Sequence, residues 1–265
     1  MDTKLTDLLK ILETMESVLL AYSGGVDSTF LLKALQLAGL QSLAVTAASE
    51  IIPERDLLNA NTLAEEIGID HIFIEMDLLS IENFVTNPPE RCFYCKDILF
   101  RKFSEHAATQ GYLHVIDGST IDDLSDYRPG RKAAREHGIR SPLTEAGLSK
   151  TEIRKLSRQL NLSTWNKPSS PCLATRFPYG LRITKEALLR VAKAEDFLKS
   201  LGFETVRVRD HGSMARIEID EESLDLLWSP KTRKHVSEVL KNLGYDFVSL
   251  DLEGYRSGSM NLLIQ

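Results

Sequence analysis

The apolar residues of this chain fall into short continuous runs, separated by stretches in which they recur every three or four positions. Val18-Leu19-Leu20-Ala21 is a run of strand length. Phe30, Leu31, Ala34, Leu35 and Ala38 follow at helical spacing, with Gly39 where a helix would stop. Leu43-Ala44-Val45-Thr46-Ala47 predicts a second buried strand, and the helix after it takes Pro53 into its first turn and ends at Gly68. His71-Ile72-Phe73-Ile74-Glu75 predicts a third strand. Residues 96–110 are periodic through Ile98, Leu99, Phe103 and Ala107 and stop at Gly111, and Leu113-His114-Val115-Ile116-Asp117 predicts a fourth. Strands alternating with helices in units of roughly 30 residues imply an α/β fold, a parallel sheet with helices on both faces. Ligands of such sheets bind beyond the carboxyl ends of the strands, so the loops after Tyr22, Ala47 and Asp117 are expected to share one site.

Further on, Ser149-Lys150-Thr151-Glu152 is a capping-box pattern that opens a helix through Ile153, Leu156 and Leu160. The stretch 163–172 is rich in turn residues and poor in periodicity, which marks a functional loop closing the first domain. Beyond Thr184 the pattern changes. A long helix runs to Leu201, Val206 and Val208 alternate with Arg207 and Arg209, and Ala215-Arg216-Ile217-Glu218-Ile219 reads as a returning strand after a turn at His211-Gly212-Ser213. Leu198-Lys199-Ser200-Leu201-Gly202-Phe203 is echoed by Leu240-Lys241-Asn242-Leu243-Gly244-Tyr245, and each copy leads towards a strand. Two copies are too few for a solenoid, so we expect two domains: residues 1–175, α/β, and residues 176–265, a smaller α+β domain.

Composition changes this picture little. At 265 residues, 43% hydrophobic and 26% charged, the chain reads as an ordinary globular protein with room for two cores. No apolar run approaches the ~20 residues of a membrane helix, and the N-terminus lacks the basic and apolar regions of a signal peptide, so a cytoplasmic location and no membrane partner are expected. The net charge is −6, and the stretch 176–265 is charge-balanced. No broad basic surface is present, so no nucleic-acid partner is expected. Three cysteines argue against a disulfide framework and towards reduced thiols or a metal.

The chemistry concentrates at Ser23-Gly24-Gly25-Val26-Asp27-Ser28. A strand, a glycine turn and a helix in that order bring backbone N–H groups and the positive helix end to one point, which favours phosphate. Ser23 and Ser28 add hydroxyls, and Ser28 suits a cap. Asp27 makes sense there if it meets Mg²⁺ or fixes the loop's backbone. A plain tight turn is the bland alternative. Gly118-Ser119-Thr120 follows the fourth strand, and then Asp122, Asp123 and Asp126 offer carboxylates to Mg²⁺ while Arg128 offers a cation to phosphate; a solvated polar loop explains the same residues.

Cys92-Phe93-Tyr94-Cys95 follows Asn87-Pro88-Pro89-Glu90-Arg91, so the first thiol is expected on a turn and the second near a helix start, where thiolates are stabilised. With the distant Cys172, three thiolates suit a [4Fe–4S] cluster with one iron left open; zinc with a histidine, or structural thiols, are the rivals. Arg207 and Arg209, two apart on a strand, share a face. They invite either a phosphate or pairing with Glu218 on the partner strand.

The hexapeptide from Ser23 to Ser28 resembles the PP-loop of enzymes that split ATP between the α and β phosphates. Taken with Cys92 to Lys96, Asp126-Tyr127-Arg128-Pro129-Gly130, Trp165-Asn166-Lys167, Arg176-Phe177-Pro178-Tyr179-Gly180 and Val206-Arg207-Val208-Arg209, the chain resembles over nearly its whole length the LarE family of ATP-dependent sulfur-insertion enzymes. The resemblance implies a pyridinium-3,5-biscarboxylic acid mononucleotide as small-molecule substrate, adenylated by ATP with Mg²⁺ and converted to thiocarboxylates for a nickel-pincer nucleotide. It implies Ser23, Gly24, Gly25, Asp27 and Ser28 at the ATP, where Gly118 and Arg128, from the loop after the fourth strand, are further cofactor-binding candidates. Arg176, Arg207, Arg209 and Glu218 are implied around the substrate phosphate or the transferred sulfur. Some members give up sulfur from a single cysteine, leaving dehydroalanine; others hold a [4Fe–4S] cluster on three, and Cys92, Cys95 and Cys172 put this sequence with the second group. A sulfide donor and a homo-oligomer are the expected partners. A tRNA thiolase of the same superfamily, an amidating ligase, and a nucleotide-binding regulatory domain without turnover are the competing readings.

Overall fold

The computed structural model describes residues 2–124 and 129–256. By its contacts the chain divides into two compact units, Met1–Met76 with Glu90–Ser170, and Asp77–Pro89 with Pro171–Gln265. The second unit thus includes a short excursion from the middle of the first, which nothing in the apolar pattern announces.

In the first unit, α1 (Thr3–Glu13) leads into β1 (Ser17–Ala21), α2 (Val26–Ala38), β2 (Gln41–Ala48), α3 (Glu54–Ile67) and β3 (His71–Glu75). The excursion carries α4 (Glu82–Val85). Then α5 (Arg91–Gln110), β4 (His114–Asp117), α6 (Gly130–Glu136), α7 (Pro142–Glu145) and α8 (Lys150–Gln159) complete the unit. The four strands form an all-parallel sheet in the order β3-β2-β1-β4. Alternation along β1 sorts its side chains: Val18 and Leu20 enter the core built by α1, α2, α3 and α8, while Leu19 packs with Phe103 and Ala107 of α5 on the other face. This is the α/β architecture expected from the apolar runs. Two boundaries differ. Helix α5 begins at Arg91, a turn earlier than its apolar spacing indicates, and Pro53 precedes α3 instead of lying in its first turn. The Ser149–Glu152 capping box at the start of α8 is formed on both sides.

In the second unit, α9 (Lys185–Ser200), β5 (Val206–Asp210), β6 (Met214–Ile219), α10 (Leu224–Trp228), α11 (Pro230–Asn242) and β7 (Phe247–Leu250) follow one another. The sheet order is β5-β6-β7, with β5 antiparallel and β7 parallel to β6. The sequence echo is a structural one. Both α9 and α11 run out into a glycine at positive φ (Gly202, 100°; Gly244, 103°), and the next aromatic, Phe203 or Tyr245, bonds its N–H back to Leu198 or Leu240 and enters the core. Each such buried ring contributes roughly 1.5–3 kcal/mol of apolar burial. That anchors both helix ends to one small core.

Candidate functional site

Between β1 and α2 the chain turns in four residues. Gly24 has φ of 64°, and a Cβ there would lie 3.0 Å from both Cα and Cβ of Ala60 in α3. The turn therefore needs glycine twice over, for its backbone angle and for its contact with α3. Gly118, just past β4, has the same kind of contact: a Cβ would approach the backbone N and Cα of Ser28 at 3.1 and 3.2 Å. The loops after β1 and β4 thus meet at the start of α2. Ser28 does not cap the helix. Its hydroxyl turns back to Ser23 Oγ at 3.1 Å and towards the Gly25 carbonyl at 3.4 Å, and no side chain among the described residues caps α2 at Gly25. The first N–H groups of a 13-residue helix are left facing the loop, as an anion site requires. Asp27 lies half-buried in that first turn.

A second segment of the same unit braces the turn. Lys167 donates from Nζ to the Gly24 carbonyl at 3.0 Å. Arg154 on α8 holds the Trp165 and Lys167 carbonyls, each at 2.9 Å, and Arg158 stacks over the Trp165 ring. Lys167 also lines a groove of about 400 Å³ whose other wall is Asn59, Thr62 and Glu66 of α3. The carboxylates after β4 have structural partners: Asp122 accepts the Lys150 N–H that begins α8, and Asp123 accepts from Lys150 Nζ, both at 2.8 Å. Asp126 and Arg128 lie outside the described residues.

The second unit gathers buried charge. Arg176 is fully buried and grips Glu195 of α9 with two hydrogen bonds, Nε to Oε1 at 2.8 Å and Nη2 to Oε2 at 3.0 Å. Its third arm donates to the Pro171 carbonyl at 2.8 Å and the Thr175 hydroxyl at 2.9 Å. Glu195 also takes the Val208 N–H at 3.1 Å, so α9 and β5 share one carboxylate. Burial pushes the Glu195 carboxyl up, but Arg176 outweighs it, and the group is held below the usual carboxylate range.

Arg209 reaches Glu218 at 2.6 Å and the Thr175 carbonyl at 2.8 Å, and Arg216 reaches Glu218 at 3.2 Å. Pairing across the hairpin, one of the two alternatives posed by the sequence, is therefore present at Arg209. Arg207, also buried, donates to the Val206 carbonyl at 2.8 Å and stacks its guanidinium over Tyr255. Burial, then the nearby Arg176 cation, depress its pKa below the ordinary guanidinium value. The valines and the arginines of β5 are all buried, the former in the apolar core and the latter in this ionic cluster.

Cys92 and Cys95 both lie in the first turns of α5, one helical turn apart, with Cys92 exposed and Cys95 half-buried; Cys92 is thus helical and not on a turn. Cys172 is half-buried in the second unit, at the head of a short turn whose carbonyl accepts from Thr175 and Arg176. Soft thiolates near a helix N-terminus have the donor chemistry that iron–sulfur clusters use. Among the described residues no three His, Cys, Asp or Glu side chains are assembled as a metal site.

No family model matches the chain. It is 41% identical over 265 residues to an uncharacterised protein from Synechocystis sp., covering 100% of this chain and 99% of the relative. It is 40% identical over 263 residues to the pyridinium-3,5-bisthiocarboxylic acid mononucleotide synthase of Lactiplantibacillus plantarum, covering 98% of this chain and 94% of that enzyme. The chain belongs to the LarE family. An uncharacterised protein from Methanocaldococcus jannaschii is 30% identical over 254 residues, with 96% of each chain covered.

In this LarE chain the loop residues Ser23, Gly24, Gly25, Asp27 and Ser28 are brought together with Gly118, and Arg176, Arg207, Arg209 and Glu218 lie on the connected elements of the second unit. Four contributors are absent from the expectations. Lys167 and Arg154 brace the Ser23–Ser28 loop, and the Trp165-Asn166-Lys167 motif was the available sign for the former. Glu195 sits in a helix whose Lys193-Ala194-Glu195-Asp196 reads as a solvated face. Asn87, fully buried with φ of 56°, donates to the Phe177, Pro178 and Leu181 carbonyls and so ties the excursion to the Arg176–Leu181 segment. No described helix is long and apolar enough to cross a membrane.

Proposed function

We propose that this protein is an ATP-dependent sulfurtransferase that adenylates the carboxylates of pyridinium-3,5-biscarboxylic acid mononucleotide and exchanges their oxygen for sulfur, releasing pyrophosphate and AMP. The observation that carries the reading is 40% identity along 98% of the chain to a synthase named for the bisthiocarboxylic product. The uncapped, glycine-lined start of α2 supports the ATP half of it. A carboxylate resists nucleophiles. Attack of its oxygen on the α-phosphorus expels pyrophosphate and leaves an acyl adenylate, whose leaving group is AMP. The N–H groups of α2 and the hydroxyls of Ser23 and Ser28 bind the phosphates, and Asp27 would hold Mg²⁺. Arg207 supplies the cation for the substrate phosphate, and Arg176 and Arg209, paired with Glu195 and Glu218, hold the cluster around it in place.

Cys92, Cys95 and Cys172 would hold a [4Fe–4S] cluster, which when bound supplies the sulfide nucleophile. A homo-oligomer and an external sulfide donor are part of the same proposal. The experiment is anaerobic incubation with ATP, substrate and excess sulfide, with pyrophosphate, AMP, iron content and intact protein mass all measured. Expected are AMP and pyrophosphate together, repeated turnovers and unmodified cysteines. A mass loss of about 34 Da at one cysteine after a single turnover would replace the cluster by sacrificial sulfur. Absence of pyrophosphate release would sink the adenylation reading.

A further inference from the structure

Behind the phosphate loop, a file of hydrogen bonds leads to His71 at the start of the edge strand β3. The Tyr22 carbonyl, whose peptide continues into Ser23 and the loop, accepts the Thr46 hydroxyl at 3.0 Å. The same hydroxyl oxygen lies 2.8 Å from Nε2 of His71. On the other side of the ring, Nδ1 lies 3.1 Å from Oδ1 of Asn61, and the Asn61 amide nitrogen donates to the Glu65 carboxylate at 2.7 Å. The ring stands edge-on to Tyr22 and to Phe73, with centroids 5.6 and 4.7 Å away, so it has little room to turn.

A count of hydrogens decides what this geometry needs. A hydroxyl has one. With that hydrogen on the Tyr22 carbonyl, Thr46 can only accept from Nε2. Asn61 keeps its NH₂ towards Glu65, so its oxygen can only accept from Nδ1. Both ring nitrogens are then donors, a property of the imidazolium alone. A neutral ring has to give up one bond. Either Thr46 swings its hydrogen to Nε2 and releases the Tyr22 carbonyl, or Nδ1 loses the Asn61 oxygen unless the amide turns its NH₂ away from Glu65. We take the first as the course of the neutral ring, since it alone keeps the Asn61 bonds to both Nδ1 and Glu65.

We propose that His71 is a positioning residue for the phosphate loop: as an imidazolium it donates to both Asn61 and Thr46, and so commits the Thr46 hydrogen to the Tyr22 carbonyl. That bond fixes the plane of the Tyr22–Ser23 peptide, and with it the direction of the Ser23 N–H, which points to Ser28 Oγ at 3.4 Å. The charged side chain facing the ring is Glu65 of α3. Tyr22 is the other titratable group against it, and burial pushes that phenol up to about 12, so it stays neutral while Glu66 acts on it in turn. Burial holds His71 below the ordinary imidazole value, against the pull of Glu65. The clamped loop therefore belongs to the acid side of the His71 titration and loosens as pH rises through it. The consequence for catalysis rests on the reading of this loop as an ATP site.

The test separates the two. In ¹⁵N-labelled protein without nucleotide, followed from about pH 5 to about pH 8, both ring nitrogens of His71 should be protonated at the acid end. The Ser23 amide should shift with the same midpoint. Thr46→Val, which keeps the shape and loses the hydroxyl, should uncouple Ser23 from the ring; Thr46→Ser should retain the coupling. His71→Phe should abolish the Ser23 titration. ATP affinity should weaken about fivefold across the His71 midpoint in wild type, the worth of one hydrogen bond, and this step should vanish in Thr46→Val. A Ser23 amide that titrates unchanged in Thr46→Val, or a ring that stays neutral throughout, overturns the proposal. Failure of ATP to bind at any pH removes the nucleotide reading and leaves the two spectroscopic arms to judge His71.

Discussion

The two units arrange their hydrogen-bond donors by opposite means. At the Ser23–Ser28 loop the donors are backbone N–H groups, two serine hydroxyls and a helix end, and the lysine beside them is spent on a loop carbonyl. In the second unit the donors are whole guanidiniums, held in place by buried carboxylates. A site built from backbone depends on conformation, so its weak points are the residues that set the turn. A site built from buried charge depends on balance, and removing one partner leaves the other without its counter-charge in a medium that tolerates it badly. The contrast predicts which substitutions harm chemistry and which harm the fold.

The largest effect belongs to the loop. If the turn is the ATP site proposed above, Asp27→Ala should reduce pyrophosphate release to background while leaving the fold intact, because Asp27 is half-buried in the first turn of α2 and packs in neither apolar core. Pyrophosphate release at the wild-type rate, with an unaltered circular dichroism spectrum, would show that a carboxylate is not needed there and that Mg²⁺ is held by other groups.

In the second unit the order reverses, and stability is lost first. Glu195→Ala removes the bidentate partner of a fully buried arginine and the acceptor of the Val208 N–H. Breaking such a pair costs about 3–5 kcal/mol. Hydrogen exchange should locate the loss in α9 and β5 and leave the amides of β1 as they were. Glu195→Gln, which keeps an acceptor, should lose less. Equal protection in wild type and Glu195→Ala would mean that water replaces the carboxylate, and the contrast between the units would fall.

Within that cluster the two β5 arginines divide the roles. Arg209 is tied to Glu218 and to the Thr175 carbonyl, whereas Arg207 is crowded by Arg176 and stacked on Tyr255. Arg207→Ala should weaken binding of the pyridinium mononucleotide by roughly 1.5–3 kcal/mol, about one to two orders of magnitude, with little change in ATP affinity. Arg209→Ala should cost more in stability than in binding. If calorimetry finds the reverse, Arg209 is the phosphate ligand and the ion pair with Glu218 opens on binding.

The same contrast explains what the sequence makes legible. The Ser23–Ser28 loop is contiguous: six residues, a strand before and a helix after, so local rules reach it. The parallel-sheet rule also brings the loops after β1 and β4 together, although the close approach of Gly118 to Ser28 shows only in the structure. The ionic cluster is not contiguous. Glu195 is one of two adjacent acids on a charged helix, and only the packing of α9 against β5 decides that it is buried while Asp196 is not. Asn87 is hidden for the same reason, since its role is to satisfy carbonyls some ninety positions away. The boundary of α5 slipped at Arg91 because Cys92-Phe93-Tyr94-Cys95, coming after Pro88-Pro89, reads as a turn carrying ligand chemistry, whereas the helix takes in all four residues.

The smallest effect tests whether an exposed carboxylate behaves unlike a buried one. Glu152 closes the capping box of α8, taking the Ser149 N–H at 2.9 Å, and pairs with Lys4 of α1 at 2.7 Å. Lys4 first, then the Ser149 hydroxyl and N–H, pull its pKa down from 4.5 to about 2. A carboxyl that is more acidic in the folded state adds stability above its unfolded value and forfeits it as pH falls towards the folded one. Protection of the first α8 amides should therefore decline between pH 4.5 and about 2. Glu152→Gln should be slightly less protected at neutral pH and flat across that window. Because the pair is open to solvent and screened by salt, the difference should shrink at high ionic strength, whereas the Glu195–Arg176 pair should not respond. An acid decline of equal slope in Glu152→Gln would mean that Glu152 is not the group that sets the acid sensitivity of α8.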